Sequence, residues 1–226
     1  MRTHRTEAGF TLLEVVIAVA IMGAVVAISV PSFTAWRSNL EARSSARAMA
    51  DVLNAARSNA IRSSTPQIVY LRIAGVGTTD PNGTELLDAS AQPVEVTRLQ
   101  DDDGDCQIDN TEPIEFFHFS GGVTFGLTNT ALKVPSDSAP PTTATGATFA
   151  DPENTANPLR WLMFRPDGVP VTFSGDLTGC DTVGATGSGS GAVYMTNGTN
   201  DFAAVISPLG GVRLHAFDVA ANGWTL

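Results

Sequence analysis

An acidic stretch at residues 101–112, DDDGDCQIDNTE, holds the densest group of side chains that could bind a metal ion. Ca²⁺ prefers clustered oxygen ligands, and a twelve-residue calcium loop supplies them from positions 1, 3, 5, 7, 9 and 12. In this register the ligands are the carboxylates of Asp101, Asp103, Asp105, Asp109 and Glu112 and the main-chain carbonyl of Gln107. The stretch therefore predicts a structural calcium site that neutralises five carboxylates.

Two features argue against calcium in this stretch. Position 6 of such a loop is glycine because the backbone turns sharply there, but this chain has Cys106. The flanking sequences are typical of strands, whereas EF-hand calcium loops lie between helices. The alternative is a solvated acidic hairpin loop that keeps the protein soluble.

The chain has two cysteines, Cys106 and Cys180. In an exported protein two cysteines indicate one disulfide bond, whereas in a cytosolic protein they would be two free thiols. The choice depends on the compartment in which the chain folds.

The sequence carries no recognisable catalytic motif. It lacks G-x-S-x-G, a phosphate-binding glycine loop and Cys-x-x-Cys, and the GSGSG run at residues 187–191 is typical of a flexible linker. The three histidines, His4, His118 and His215, have no metal-binding spacing. We therefore expect neither an enzyme nor a required cofactor.

The chain is strongly acidic. Its 226 residues carry a formal net charge of -10, and its hydrophobic content of 43% is ordinary for a folded protein. The length suffices for one domain with a hydrophobic core, or for one domain and an appendage. An acidic body repels phosphate groups, so the composition argues against a nucleic-acid partner.

Residues 10–30 form an apolar stretch long enough for a membrane-spanning helix. Arg2, His4 and Arg5 precede it, as expected for a cytoplasmic N-terminus. A cleaved secretory signal would have a shorter apolar run and a small-residue cleavage site. A plain signal anchor accounts for the length but leaves Glu14 in the membrane, at a cost of roughly 2.5–3.5 kcal/mol.

Three residues give this segment another interpretation. Gly9 is followed directly by Phe10 and, five residues after the glycine, by Glu14. This order ahead of an apolar helix resembles the type III signal of type IV pilins and pseudopilins. The resemblance implies that a prepilin peptidase cleaves between Gly9 and Phe10, that Phe10 is N-methylated, and that the apolar helix stays in the mature protein. Pro31 lies where this family often has a helix-kinking proline.

The same resemblance gives Glu14 a role. An ionisable residue in a bilayer needs a partner. The resemblance implies that Glu14 serves assembly and methylation, pairing with the N-terminal amine of a neighbouring subunit. The alternative is that Glu14 lies near the cytoplasmic interface and reaches water.

One long helix is predicted over residues 10–62, with a kink near Pro31. From residue 42 onward small and apolar residues recur at helical spacing on one face, namely Ala42, Ala46, Met49, Leu53, Ala56 and Ala60. We expect this stripe to pack on the protein's own sheet, a role compatible with packing in a filament core. Pro66 ends the helical pattern.

Short runs of β-branched and aromatic residues follow from residue 67 onward. Residues 135–158 and 182–191 are rich in small and polar residues and are interpreted as surface loops. The predicted fold class is α+β, with the long helix packed on an antiparallel sheet in a globular head. The predicted domains are a leader at residues 1–9, the helix at 10–62 with its membrane span at 10–30, and the β-rich head at 63–226.

The head resembles the GspH/FimT branch of pseudopilins and minor pilins. The likeness lies in the helix end and first strand at residues 42–70, in LMFRPDGVPV at 162–171, and in FAAVISPLGGVRLHAF at 202–217. It implies a minor subunit in the initiation or tip complex of a type II secretion pseudopilus or a type IV pilus. The implied partners are other pilin or pseudopilin subunits, the prepilin peptidase and an inner-membrane assembly platform.

The resemblance also implies a location and leaves a second function open. The chain would be a single-pass protein of the bacterial inner membrane with a periplasmic head, and then part of a pilus or pseudopilus. A periplasmic head favours a disulfide between Cys106 and Cys180. The alternative function is a binding module displayed on a pilus, an adhesin or a DNA-uptake receptor. Some FimT-like proteins bind DNA through a basic C-terminal region, but this chain keeps only Arg213 there.

Overall fold

The computed structural model describes residues 11–72, 78–79, 85–86, 88, 90, 94–106, 111–120, 122–129, 132–137, 146–176, 179–186 and 190–226. The chain divides into two compact units, Met1–Leu40 and Glu41–Leu226. The first unit contains the N-terminal part of one helix. The second contains the rest of that helix and all the strands of the described residues.

The helix, α1, spans Leu12–Ser63. It is helical through Pro31, and the kink near that residue stays a prediction. The helix ends at Ser63, directly before Ser64, which has a positive φ of 59°, and three residues before Pro66, which cannot donate a main-chain hydrogen bond. These bounds agree with the predicted helix to within two residues at each end.

The strands are short and follow one another to the C-terminus. Within the described residues they are β1 Gln67–Leu71, β2 Thr78–Thr79, β3 Glu85–Leu86, β4 Val96–Gln100, β5 Ile114–Phe117, β6 Thr124–Phe125, β7 Phe149–Ala150, β8 Pro158–Leu159, β9 Trp161–Phe164, β10 Pro170–Asp176, β11 Gly179–Ala185, β12 Gly191–Thr196, β13 Asp201–Ile206, β14 Val212–Asp218 and β15 Gly223–Thr225. All pairings among them are antiparallel. The α+β fold class is thereby confirmed.

Two main sheets form the head. The six-stranded sheet has the order β11-β10-β9-β1-β4-β5, and the five-stranded sheet has the order β15-β14-β13-β12-β6. Strand β1 is central in the first sheet, where Ile68 lies opposite Leu99 on one side and Met163 on the other. Strand β1 follows the helix directly in the chain and lies between β9 and β4 in the sheet.

The stripe on the C-terminal half of α1 is the centre of the core. All six of its predicted members are buried, and none is more than 1% exposed. They belong to one hydrophobic cluster with side chains of β1, β4, β9, β10, β12 and β13. The prediction that the stripe packs on the protein's own sheets is confirmed. Alanines in the stripe allow this close approach.

The strands β12 and β13 of the five-stranded sheet are buried on both faces. Val193 and Met195 of β12 belong to the main core, whereas Ala192 and Tyr194 of the same strand face a second cluster. Val134, from the described segment 132–137, is fully buried in this second cluster. The alternation of side chains along β12 therefore serves two cores, which explains why the strand has no polar face.

Arg57 of α1 joins two turns that belong to different sheets. Its Nε donates a hydrogen bond of 3.2 Å to the carbonyl oxygen of Gly168, in the β9–β10 turn. Gly210, in the β13–β14 turn, packs so closely that an added Cβ would lie within 3 Å of Gly168 O and Arg57 Nε. Both glycines have a positive φ, of 77° and 80°.

Two predicted loops contain strands. In the first loop, residues 149–150 form β7 and Pro158 begins β8; in the second, residues 182–185 belong to β11 and Gly191 begins β12. The loop interpretation is wrong at these positions. Gly184 is a glycine for a packing reason, because an added Cβ there would lie 2.8 Å from the Cβ of Pro152. The glycine in β11 permits close packing across the strand and does not mark a flexible linker.

Candidate functional site

The N-terminal end of α1 is closed by three hydrogen bonds between Thr11 and Glu14. The main-chain N–H and the hydroxyl of Thr11 each donate to Oε2 of Glu14 at 3.2 Å. The N–H of Glu14 donates to Oγ1 of Thr11, also at 3.2 Å. This is a capping box, in which a threonine before the helix and a glutamate three residues later satisfy each other's main-chain donors. The T-x-x-E pattern in the sequence is the signal that identifies Thr11.

The capping box fixes where the carboxylate of Glu14 lies. It stands at the N-terminus of the helix, where unpaired main-chain N–H groups favour a negative charge. Gly9 and Phe10, the two sides of the predicted cleavage bond, lie outside the described residues. Phe10 directly precedes Thr11 in the chain, so cleavage would create an amine one residue from the groups that already bind Glu14. Pairing of Glu14 with such an amine stays a prediction.

The helix that follows exposes its apolar side chains. Every residue from 11 to 30 is exposed, including Leu12 at 85% and Ile28 at 75%. Among the described residues, α1 is long and apolar enough to cross a membrane. An isolated helix with apolar side chains on all faces is stable only in lipid or among other apolar helices. Residues 11–30 therefore need lipid or other apolar helices around them.

The acidic stretch follows β4 and brings three carboxylates together. One carboxylate oxygen each from Asp101, Asp103 and Asp105 lies within 4.8 Å of the other two. Asp101 is 1% exposed, and its Oδ1 accepts a hydrogen bond of 2.8 Å from the N–H of Gly104. Its Oδ2 is buried and accepts no hydrogen bond from the part of the chain that the structure describes.

The electrostatic environment of Asp101 is unfavourable to its negative charge. Burial raises the pKa of the Asp101 carboxyl above 3.8, and the charges of Asp105 and Asp103 raise it further. The main-chain N–H groups of Gly104 and Cys106 favour the charged form and lower the pKa, but by less than burial raises it. Asp101 is therefore a buried carboxylate whose negative charge is disfavoured by burial and by two neighbouring carboxylates.

Cys106 gives the loop its sharp turn. Its φ is 58°, in the left-handed region, at the position where a calcium loop ordinarily has glycine. Cys106 is bonded to Cys180 of β11 by a disulfide, with the two Cα atoms 5.5 Å apart. The hydroxyl of Tyr70 donates a hydrogen bond of 2.7 Å to the carbonyl of Cys106. Two contacts with distant parts of the chain thus support a backbone conformation that is unfavourable for a cysteine.

The other predicted ligands are placed differently. Glu112 is 8% exposed, and its Oε1 accepts a hydrogen bond of 2.8 Å from the N–H of Asp102. It does not belong to the group of three neighbouring carboxylates among the described residues, although it closes the loop onto its first residues. Gln107 and Asp109 lie outside the described residues. The structure thus brings together three of the six predicted ligands and leaves two undescribed.

Comparison with known proteins identifies the N-terminal segment. A family model for the prokaryotic N-terminal methylation motif matches residues 4–30, which include Gly9, Phe10 and Glu14. The match supports a type IV pilin-like protein that is processed by a prepilin peptidase and assembles with other pilin subunits. No curated protein and no solved structure matches the chain.

Proposed function

We propose that this chain is a minor pseudopilin or minor pilin of the GspH/FimT type. A prepilin peptidase cleaves it between Gly9 and Phe10, and Phe10 is N-methylated. The mature subunit is built into the type II secretion pseudopilus or the type IV pilus, in the initiation or tip complex. One observation carries the proposal: the methylation motif at residues 4–30 overlaps the first part of α1, residues 12–30, where every residue is exposed.

The exposed helix suggests how the subunit works. Before assembly, the predicted span at residues 10–30 would lie in the inner membrane, with the N-terminus in the cytoplasm and the head in the periplasm. In the filament, like helices pack side by side and replace the lipid around these side chains. No bond is made or broken in this step, so the role is assembly and not catalysis.

Glu14 sets the register of assembly in this proposal. Its carboxylate lies at the start of the helix, held by Thr11. The N-terminal amine of a neighbouring subunit is the partner that would neutralise it in an apolar filament core. One buried ionic pair in each subunit contact disfavours shifted alignments, because a shift leaves both charges without partners.

The likeness of the head to the GspH/FimT branch and its acidic charge support a role in binding other protein subunits. The two turns that Arg57 joins come from the stretches that resemble the GspH/FimT head. With a net charge of -10 on the chain, the expected partners are other pilin or pseudopilin subunits and the assembly platform, not nucleic acid.

The mature N-terminus tests the processing step. The full chain would be expressed in bacteria with and without a prepilin peptidase, and its N-terminal peptide identified by mass spectrometry. The expected peptide begins at Phe10 and carries one added methyl group when the peptidase is present. An uncleaved chain in the presence of an active peptidase would overturn the proposal.

A pair of variants tests the assembly step. Glu14→Gln should abolish recovery of the protein in sheared filament fractions, while cleavage at Gly9 continues. Asp51→Asn removes the same charge from an exposed position of the same helix and should leave assembly unchanged. Equal assembly of both variants would contradict the role of Glu14. Deletion of the gene should then impair either protein secretion or piliation, which separates the two machines.

A further inference from the structure

We propose that Asp101, Asp103 and Asp105 bind a divalent cation, with Ca²⁺ as the best chemical match. The bound ion would brace the loop that connects β4 to β5. This inference depends on the acidic loop alone and is independent of the proposed function.

The positions of the three carboxylates suit one ion. Ca²⁺ binds oxygen ligands at about 2.3–2.6 Å, so two ligands on opposite sides of it are about 5 Å apart. The oxygens of Asp101, Asp103 and Asp105 all lie within 4.8 Å of one another. They therefore fit inside one coordination sphere without rearrangement of the main chain.

The second observation is the buried oxygen of Asp101. Oδ2 has almost no accessible surface and accepts no hydrogen bond from the described part of the chain. A buried carboxylate oxygen without a donor costs free energy, and two neighbouring carboxylates increase that cost. A cation bound by the Asp101 carboxylate would compensate for this missing donor and neutralise the two neighbouring carboxylates at the same time.

The ligand chemistry selects the ion. The three side chains offer only oxygen, and the nearby sulfur atoms of Cys106 and Cys180 are joined in a disulfide. Hard cations bind such a set, whereas zinc and copper favour thiolate and imidazole. Mg²⁺ requires near-ideal octahedral geometry and keeps several waters, so a carboxylate cluster in a loop favours Ca²⁺.

The surrounding structure prepares the loop before any ion binds. Cys106 is held in its left-handed conformation by Cys180 and Tyr70. Glu112 closes the loop from its far end through the N–H of Asp102. We assign Glu112 as a positioning residue, because its carboxylate lies outside the group of three. A loop ordered in advance loses less entropy on binding, which favours affinity.

The test is calcium titration of the full chain in detergent micelles, after treatment with EDTA. Isothermal titration should give one site per chain, with a Kd on the order of 10⁻⁴–10⁻³ M as in extracellular calcium modules. Ca²⁺ at tenfold the Kd should raise the melting temperature, and Mg²⁺ at the same concentration should raise it less. No heat and no melting shift at 10 mM CaCl₂, about tenfold the weakest Kd expected, would overturn the proposal, as would an equal response to Mg²⁺.

Matched variants locate the site. Asp103 is exposed, and an asparagine there can still accept the hydrogen bond that Asp103 Oδ1 accepts from the N–H of Asp105. Asp103→Asn should therefore fold normally and raise the Kd at least tenfold. Asp51→Asn, a change of equal charge on α1, should leave the Kd unchanged. An unchanged Kd in Asp103→Asn, or an equal loss in Asp51→Asn, would refute the assignment.

Glu112→Gln separates positioning from coordination. The glutamine can still accept the hydrogen bond from Asp102 N–H, so the Kd should change less than threefold. A loss as large as that of Asp103→Asn would show that Glu112 binds the ion and would refute its assignment as a positioning residue.

Discussion

The hydroxyl of Tyr70 lies 2.7 Å from the main-chain carbonyl oxygen of Cys106 and donates a hydrogen bond to it. Tyr70 is fully buried in the central strand β1, and Cys106 is 1% exposed. The bond ties the acidic loop to the middle of the six-stranded sheet. Since Cys106 is also bonded to Cys180, the turn of the loop is held from two directions.

The two tyrosines of the chain form a matched pair for mutation. Tyr70→Phe leaves the Cys106 carbonyl without its donor and should lower the free energy of unfolding by about 1–2 kcal/mol.

Tyr194 donates to Oδ2 of Asp137 at 2.8 Å and accepts from the N–H of Val134. Burial raises the pKa of Tyr194, so its hydroxyl stays protonated as a donor. Tyr194→Phe should cost more, about 1.5–3 kcal/mol, because the acceptor is a carboxylate. Urea denaturation of both variants checks the order, and the reverse order would contradict it.

Removal of the disulfide should destabilise the head strongly. Cys106 and Cys180 are separated by 74 residues, and closing a loop of this length contributes about 4 kcal/mol in the chain-entropy model. The double variant Cys106→Ser/Cys180→Ser should therefore lower the urea midpoint sharply. Wild-type protein in reductant should behave like the variant, and wild-type protein without reductant should not react with a thiol label. Full labelling without reductant would contradict the bond.

The stripe on α1 predicts a contrast between two alanines. Ala46 is fully buried against the sheets, whereas Ala48 is exposed on the same helix. Ala46→Leu overfills the core and should lower the free energy of unfolding by about 1–3 kcal/mol. Ala48→Leu adds the same atoms at an exposed position and should change it by less than about 0.5 kcal/mol. Equal effects in a denaturant titration would show that the helix does not pack as described.

Thr11 should control the order of the first helical turn. Thr11→Val keeps the side-chain shape but removes the hydroxyl that accepts from Glu14 N–H, at a cost of about 0.5–2 kcal/mol. Thr11→Ser keeps the hydroxyl and serves as the control. Amide hydrogen exchange of Glu14, measured in detergent micelles, should be faster in the valine variant alone. The same exchange rate in both variants would rule out the capping box.

His215 should make the stability depend on pH. Burial lowers its pKa below 6.5, and the positive charge of Arg213 lowers it further. As the pH falls through 6.5, the unfolded chain binds a proton that the folded chain binds less readily, so the free energy of unfolding decreases. The slope due to this group is at most about 1.4 kcal/mol per pH unit. His215→Gln should flatten the profile below pH 7 in urea titrations at several pH values, and an unchanged slope would contradict the assignment.

The helix and its stripe could be predicted from the sequence because local periodicity determines them. Burial at positions such as Met49 and Leu53 follows from the 3.6-residue repeat alone. The capping role of Thr11 could also be predicted, because T-x-x-E before an apolar run is a local signal. Features of this kind need no knowledge of the distant chain.

The strand β11 could not be predicted in this way. Its sequence GCDTVGA has the glycines of a linker, and it is a strand because β10 pairs with it. Gly184 is required by the nearby Pro152, which is 32 residues away in the chain. Tertiary contacts override local composition at such positions.

The acidic loop was predictable only in part. The spacing of Asp101, Asp103 and Asp105 indicates three converging carboxylates, and the structure brings them together. No local signal identifies Tyr70 as the donor to Cys106, because the two residues meet only through the fold. The hydrogen bond that Glu112 accepts from the N–H of Asp102 could not be predicted either, because no local signal pairs these two residues.

The contact of Arg57 with two turns has a consequence for how the head unfolds. Gly168 belongs to a turn of the six-stranded sheet and Gly210 to a turn of the five-stranded sheet, and both close on one arginine of the helix. If either sheet separates from the helix, the packing of Arg57, Gly168 and Gly210 that involves the other sheet is also lost. We therefore expect the head to unfold in a single cooperative transition, without a stable half-folded state that exposes the edges of its strands.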